Sequence, residues 1–184
     1  MDPITNPIPH RAPTPTATPS APAIDSEDWR KDPALIERAV QDQVNIYRLA
    51  HGLQALQYRE DIASIALRHS RFQATQEQIG HEGPNGQTVE NRFANTDYLC
   101  GENVLMRPRA LAFREIYGIV VGREGDIFDM ELDELAAELV QMWIESPDHE
   151  QNMRGSHYEI GGVGVYYKES PEELYVTHNL CFSK

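Results

Sequence analysis

The chain of 184 residues has few basic side chains, two cysteines and no long apolar run. Hydrophobic residues make up 40% of it, but no stretch of them is long enough to cross a bilayer as a helix, so we expect no transmembrane segment. The 16 Lys and Arg residues face 29 Asp and Glu residues, which gives a net charge of −13 at pH 7. Such a surface repels phosphate backbones, so nucleic acid is excluded as an expected partner.

Lysine is especially rare, being present at Lys31, Lys168 and Lys184 alone. Many acidic groups combined with few lysines are typical of proteins that stay soluble in concentrated salt. We therefore predict a halophilic source for this acidic protein, and expect its solubility and stability to increase from low to multimolar salt.

The first 31 residues form a tract rich in proline and threonine, with seven prolines between Pro3 and Pro22. Proline interrupts helices, and this composition buries too little apolar surface to fold. We predict that residues 1–31 are a disordered tail or linker and that residues 32–184 form one domain, since about 150 residues are enough to bury a core. No basic start followed by an apolar stretch marks a secretory signal.

Helical periodicity is clearest in three segments. Asp32 and Pro33 resemble a helix start, and apolar residues then recur at helical spacing as far as Gly52. A second helix is predicted from near Asp61 to before Gly80, and a third over Leu132–Trp143. Strands are predicted at Gly101–Met106, Ile160–Tyr167 and Leu174–Phe182, with a hairpin over 116–128 whose turn is at 122–126.

Three segments far apart in the chain each offer a ligand for a divalent transition metal such as Zn²⁺: His81, Glu102 and His149. His81 lies on a tight loop between Gly80 and Pro84, where function is favoured over packing. Glu102 begins a strand expected to be central, so its carboxylate needs a metal, backbone amides or an arginine as partner. The sequence leaves these alternatives for Glu102 open.

The order of the motifs resembles the SCP-like branch of the CAP superfamily, which includes cysteine-rich secretory proteins, antigen 5 and plant pathogenesis-related class 1 proteins. The resemblance extends from Asp32 to the C-terminus. It depends on these segments: Asn45–Arg48, His69-Ser70, the His81 loop, Gly101–Asn103, Trp143–Met153, Gly161–Tyr166 and Asn179–Phe182. It implies an α+β fold, a three-layer α-β-α sandwich with a small antiparallel sheet between helices.

The resemblance also implies a cleft formed by His81, Glu102 and His149. Ser-Pro-x-His followed by Asn-Met is the microbial form of the motif, which favours His149 over His157. Many relatives have a fourth cleft residue, a glutamate three positions after the tryptophan. Here that position is Ser146 and the glutamate is Glu145, one residue earlier, so both are secondary candidates.

Two other histidines lie among apolar neighbours. His69 falls on the apolar stripe of the second helix, and His178 lies between Val176 and Leu180 on one face of the last strand. In both cases we favour a packed core histidine, with His178 kept as a further cleft candidate.

The two cysteines fall at predicted strand ends. If the strands of Cys100 and Cys181 are neighbours, a disulfide would close a long loop, and two buried free thiols are the alternative. A disulfide would suit the exported, extracellular or cell-surface location that the resemblance implies, with any signal or anchor absent from this chain.

Three classes of function follow from these observations. The first is an exported domain whose cleft binds a divalent cation or a small amphipathic ligand, with no organic cofactor. The second is a metal-dependent hydrolase that uses His81, His149 and Glu102, with Glu102 as general base. The third is a stable extracellular scaffold, or a domain that binds an extracellular protein, whose cleft has no function. No His-Glu-x-x-His helix or serine-nucleophile motif is present in the sequence, which favours binding over catalysis.

Overall fold

The computed structural model describes residues 32–110, 114–116, 119–121 and 125–184. The predicted tail of residues 1–31 lies outside this part, so its disorder stays a prediction. The α-helices described are α1 (Pro33–Ala50), α2 (Glu60–Gln76), α3 (Val89–Arg92), α4 (Leu132–Ile144) and α5 (Pro147–Met153). The strands are β1 (Gln57–Tyr58), β2 (Tyr98–Pro108), β3 (Arg114–Ile116), β4 (Ile119–Val121), β5 (Ile160–Glu169) and β6 (Glu172–Ser183).

Helix α1 begins and ends where its sequence predicts. The Asp32 side chain accepts a hydrogen bond from the Ala34 amide at 3.0 Å, and Pro33 occupies the first turn, where its missing N–H costs nothing. Gly52, just after the helix, has a positive φ of 72°, a conformation that glycine adopts without steric cost.

The main sheet has four strands in the order β1-β5-β6-β2. Its three long strands are antiparallel, as predicted, whereas the two-residue strand β1 pairs in parallel with β5 and was not predicted. The α+β fold class is confirmed. In the second sheet β3 pairs with β4 through Ile116 and Ile119, so this strand pairing lies earlier in the chain than the hairpin predicted over 116–128. Most of the turn predicted at 122–126 falls outside the described residues, so that turn stays a prediction.

Helices pack on both faces of the main sheet. On one face, β5 approaches α2 so closely that a Cβ atom at Gly164 would lie 1.9 Å from the Leu67 backbone nitrogen. The Ser70 hydroxyl of α2 donates to the Gly164 carbonyl at 2.8 Å. The other face contacts α1 and α4, where Trp143 and Val163 belong to the larger hydrophobic core.

Strand β2 is at the edge of the sheet, but two of its backbone carbonyls are occupied by side chains. The Asn152 amide donates to the Glu102 carbonyl at 3.1 Å, and the Trp143 indole donates to the Val104 carbonyl at 3.3 Å. These bonds fasten α4 and α5 to β2 and satisfy acceptors that an open sheet edge would leave free.

Cys100 and Cys181 lie directly opposite each other on β2 and β6, with their Cα atoms 4.1 Å apart. They form a disulfide, which confirms the predicted bridge. The pairing closes a loop with a sequence separation of 81 residues, which contains α4, α5 and β5.

Candidate functional site

Glu102 lies at the centre of the candidate site, on β2 and only 4% exposed. Its Oε2 accepts hydrogen bonds from Arg92 and, at 3.1 Å, from the Asn179 amide. Its Oε1 accepts from His81 Nδ1 at 3.1 Å. Of the partners that the sequence left open for this carboxylate, the structure provides an arginine.

The environment keeps Glu102 ionised. Burial alone would raise the pKa of its carboxyl group, but the hydrogen bond from His81 and the charge of Arg92 outweigh that effect and lower the pKa below its ordinary value. Glu102 is therefore a fixed negative charge at neutral pH, matched by Arg92.

His81 projects from the loop between α2 and α3, and its side chain is 57% exposed. Because the carboxylate of Glu102 can only accept, Nδ1 of His81 carries the hydrogen, and Nε2 is unprotonated in the neutral ring. The hydrogen bond to Glu102 raises the pKa of His81 in spite of partial burial. Arg92 also donates to the His81 backbone carbonyl at 2.9 Å, so it holds both the carboxylate and the loop.

His149 lies on α5, half-buried, with its ring centroid 6.4 Å from that of His81. Burial, followed by the nearby charge of His81, lowers the pKa of His149. The Asn103 amide donates to the His149 carbonyl at 3.0 Å, and Asn152 donates to Asn103 Oδ1 at 2.9 Å. The two asparagines of the sequence motifs thus fix the helix of His149 against β2.

Glycine before Glu102 allows the Tyr158 ring to pack closely against β2. A Cβ atom at Gly101 would lie 2.4 Å from the Tyr158 hydroxyl oxygen. Each residue of the Gly101–Asn103 motif thus has a separate role. Gly101 allows close packing of Tyr158, Glu102 provides the buried charge, and Asn103 attaches α5 to β2.

His69 is buried next to the site but bonds elsewhere. Its Nε2 donates to the Gly80 carbonyl at 2.8 Å and lies 3.6 Å from Glu102 Oε1. Burial lowers the pKa of His69 below its ordinary value. The predicted role of His69 as a packed core histidine is confirmed.

The secondary candidates Glu145, Ser146 and His178 each have a different environment. Glu145 is exposed at the end of α4 and accepts from the Gln141 amide at 3.1 Å. Ser146 directly precedes α5, but within the described residues its hydroxyl does not cap the helix. His178 stacks on Trp143 in the core, on the opposite face of the sheet from Glu102, and burial lowers its pKa to about 3.

Among the residues that the structure describes, no group of three or more His, Cys, Asp or Glu side chains is arranged to hold a metal ion. His81 and His149 come together as two nitrogen donors, and the Glu102 oxygens are taken by hydrogen bonds. Arg92 is the residue of this site that the sequence did not indicate. The signal was indirect: a buried carboxylate needs a partner such as a cation, and Arg92 is the last residue of helix α3, which follows the His81 loop.

Residues 41–180 match the protein family described as CAP, the cysteine-rich secretory protein family. The chain belongs to this family. A curated relative of this CAP chain is an uncharacterized membrane protein of Bacillus subtilis (strain 168), YlbC, which is 24% identical over 154 residues. That match covers 80% of this CAP chain but 37% of the relative.

Two solved structures share the fold of this CAP chain. An extracellular protein containing an SCP domain from Bacillus anthracis str. Ames has a TM-score of 0.58 and 23% identity, over 89% of this chain and 44% of that one. An outer surface protein from Borrelia burgdorferi has a TM-score of 0.59 and 15% identity, over 88% of this chain and 97% of that one. No helix in the described part of this CAP chain has the length and apolar character needed to span a membrane.

Proposed function

We propose that this CAP domain is an exported binding domain whose cleft holds a divalent transition-metal cation between His81 and His149. The observation that carries the proposal is the fixed orientation of His81. Glu102 engages Nδ1 and leaves Nε2 as a potential ligand beside a second, half-buried imidazole. A carboxylate that orients a ligating histidine in this way is common around protein-bound metals.

The donor set fits a cation of borderline softness such as Zn²⁺. Two imidazoles on one tetrahedral zinc have ring centroids about 5 Å apart, so the rings of His81 and His149, now 6.4 Å apart, would approach by about 1 Å. The exposed loop position of His81 favours that movement. Water or a donor atom of a further ligand would complete the coordination.

Hydrolysis with Glu102 as general base is the weaker alternative. A general base works best with a pKa near the working pH, whereas His81 and Arg92 keep the pKa of Glu102 low. The carboxylate is also engaged by hydrogen bonds on both oxygens. The geometry therefore favours an orienting role for Glu102 and a binding role for the domain.

Export is supported by the Cys100–Cys181 disulfide, because such bonds persist mainly in oxidising compartments. The names of the two structural relatives, one extracellular and one an outer surface protein, agree with it. Fractionation of the source cells tests it: protein found only in the cytosol with free thiols would contradict export.

Calorimetric titration with Zn²⁺ tests the metal site. We expect His81→Ala and His149→Ala each to weaken binding at least about tenfold. Glu102→Gln should weaken it by about 10- to 100-fold, because a neutral amide is a weaker acceptor for the His81 Nδ1 hydrogen than a carboxylate is. Affinity should rise as pH increases through the raised pKa of His81, because protonation of that ring competes with the metal.

His157→Ala is the matched control, since His157 is exposed and packs against Tyr158 and Phe182 instead. If the wild type binds no zinc, or if His81→Ala and His149→Ala bind it as tightly as His157→Ala does, the cleft is not a metal site. The scaffold alternative would then be favoured.

A small amphipathic ligand is the second candidate for the same region. A groove of about 360 Å³ beside His81 is lined by Phe72 and by Ile79, which is 47% exposed. Polar residues, among them Gln76, Gln78 and Glu82, also line this groove. Binding of a fluorescent fatty acid tests this candidate. If the Ile79→Ser variant binds the fatty acid as tightly as the wild type does, the ligand does not bind in this groove.

A further inference from the structure

A second groove, of about 350 Å³, lies between α2 and the segment from residue 84 to residue 95. One wall is formed by Ile65, Arg68 and His69 of α2, which are spaced so that they share one helix face. Side chains of Gln87 and Arg92 belong to the opposite wall. We call this space the arginine groove. Its volume is typical of small-molecule sites.

The charge of the arginine groove differs from that of the rest of the protein. None of its lining residues is acidic, although the chain has 29 Asp and Glu residues. Arg92 is neutralised by Glu102, and burial lowers the pKa of His69, which favours its neutral form. The positive charge of the arginine groove therefore comes from Arg68.

Arg68 is exposed, and no hydrogen bond or ion pair engages its guanidinium within the described residues. Most arginines in this part of the chain are paired with carboxylates, as Arg38, Arg59, Arg107 and Arg109 show. An arginine without a carboxylate partner in so acidic a protein is available to an anion from solution.

The other polar groups of the arginine groove also offer donors. Asn91 uses its side-chain oxygen to accept from Thr88, which leaves its NH₂ group for other partners. The side-chain amides of Gln87 and Asn95 have no hydrogen-bond partner in the part of the chain that the structure describes. Such amides suit hydroxyl groups, and Ile65 adds an apolar wall.

We propose that the arginine groove binds a monosaccharide-sized organic anion, a sugar acid or a sugar phosphate. The guanidinium of Arg68 holds the anionic group by charge-assisted hydrogen bonds, while Gln87, Asn91 and Asn95 hold hydroxyls. The arginine groove is separate from the candidate metal site at His81 and His149. Arg92 lies between the two sites, because it lines the arginine groove and also donates a hydrogen bond to Glu102.

The test is an NMR titration of the 184-residue chain with D-glucuronate and with glucose 6-phosphate, at matched ionic strength. We expect saturable shift changes confined to residues around 65–69 and 84–95, and none with neutral glucose. Arg68→Gln should weaken binding about tenfold or more, the usual effect of losing a hydrogen bond to a charged group. The probe that binds more tightly shows whether the arginine groove prefers a carboxylate or a phosphate.

Arg71→Gln is the matched control, because Arg71 is three residues further along α2 and lies over the Tyr166 ring. The proposal is overturned if neither probe saturates, if glucose binds equally, or if Arg68→Gln has no effect. The proposal is also overturned if Arg71→Gln weakens anion binding as much as Arg68→Gln does, since that result indicates nonspecific electrostatic attraction. His81→Ala should leave anion binding unchanged, so failure of the metal site and failure of this site are distinguishable.

Discussion

Reduction of the Cys100–Cys181 disulfide is expected to lower the free energy of unfolding by about 4 to 5 kcal/mol. The reason is the length of the loop it closes, 81 residues, which restricts the unfolded chain. A loss of this size is a large part of the stability of an ordinary domain. Urea unfolding with and without a thiol reductant measures it as a shift of the midpoint.

A double variant with Cys100→Ala and Cys181→Ala separates the loss of the bond from other effects of the reductant. Its midpoint should match that of the reduced wild type and should not respond to the reductant. Equal midpoints for oxidised and reduced wild type would show that the disulfide contributes no stability.

Replacement of Arg48 by methionine should destabilise the domain by about 3 kcal/mol or more. Arg48 is fully buried on α1, and its guanidinium donates to four backbone carbonyls instead of a carboxylate: Gln54, Met153, Gly155 and Tyr158. Methionine fills a similar space but leaves those carbonyls without donors. Thermal and urea unfolding would measure the loss.

Lysine at the same position keeps the charge but not the planar fork of donors, so Arg48→Lys should recover only part of the stability. Arg154→Met is the control, because the Arg154 side chain is 55% exposed and pairs with Glu150 at 3.6 Å, a contact that contributes little. If Arg48→Met is no more destabilising than Arg154→Met, the four carbonyl bonds are not what anchors the end of α5 to α1.

Local signals in the sequence predicted much of the fold. The start of α1 depends on Asp32 and Pro33, and the long strands depend on β-favouring runs, both of which act within a few residues. The packing role of His178 followed from its apolar neighbours on one strand face. The disulfide needed one further inference, that the strands of the two cysteines are neighbours.

The remainder depends on distant contacts. Strand β1 has two residues, too few for a pattern, and exists because Gln57 meets Ile160 on β5. Arg92 cannot be assigned to Glu102 from spacing, since the ion pair forms only when α3 packs beside β2. The halophilic source, the metal and the export stay predictions, because they concern the solution, the ligand and the compartment around the protein.

The side chains of Asn152 and Trp143 cover part of the outer edge of β2, which affects how copies of the domain interact at high concentration. The backbone carbonyls of Glu102 and Val104 already accept hydrogen bonds, so they are not free to pair with a strand from another molecule. Polymerisation by strand addition is therefore disfavoured at this edge of the sheet. At high protein concentration, neighbouring copies are therefore less prone to join through this edge of the sheet.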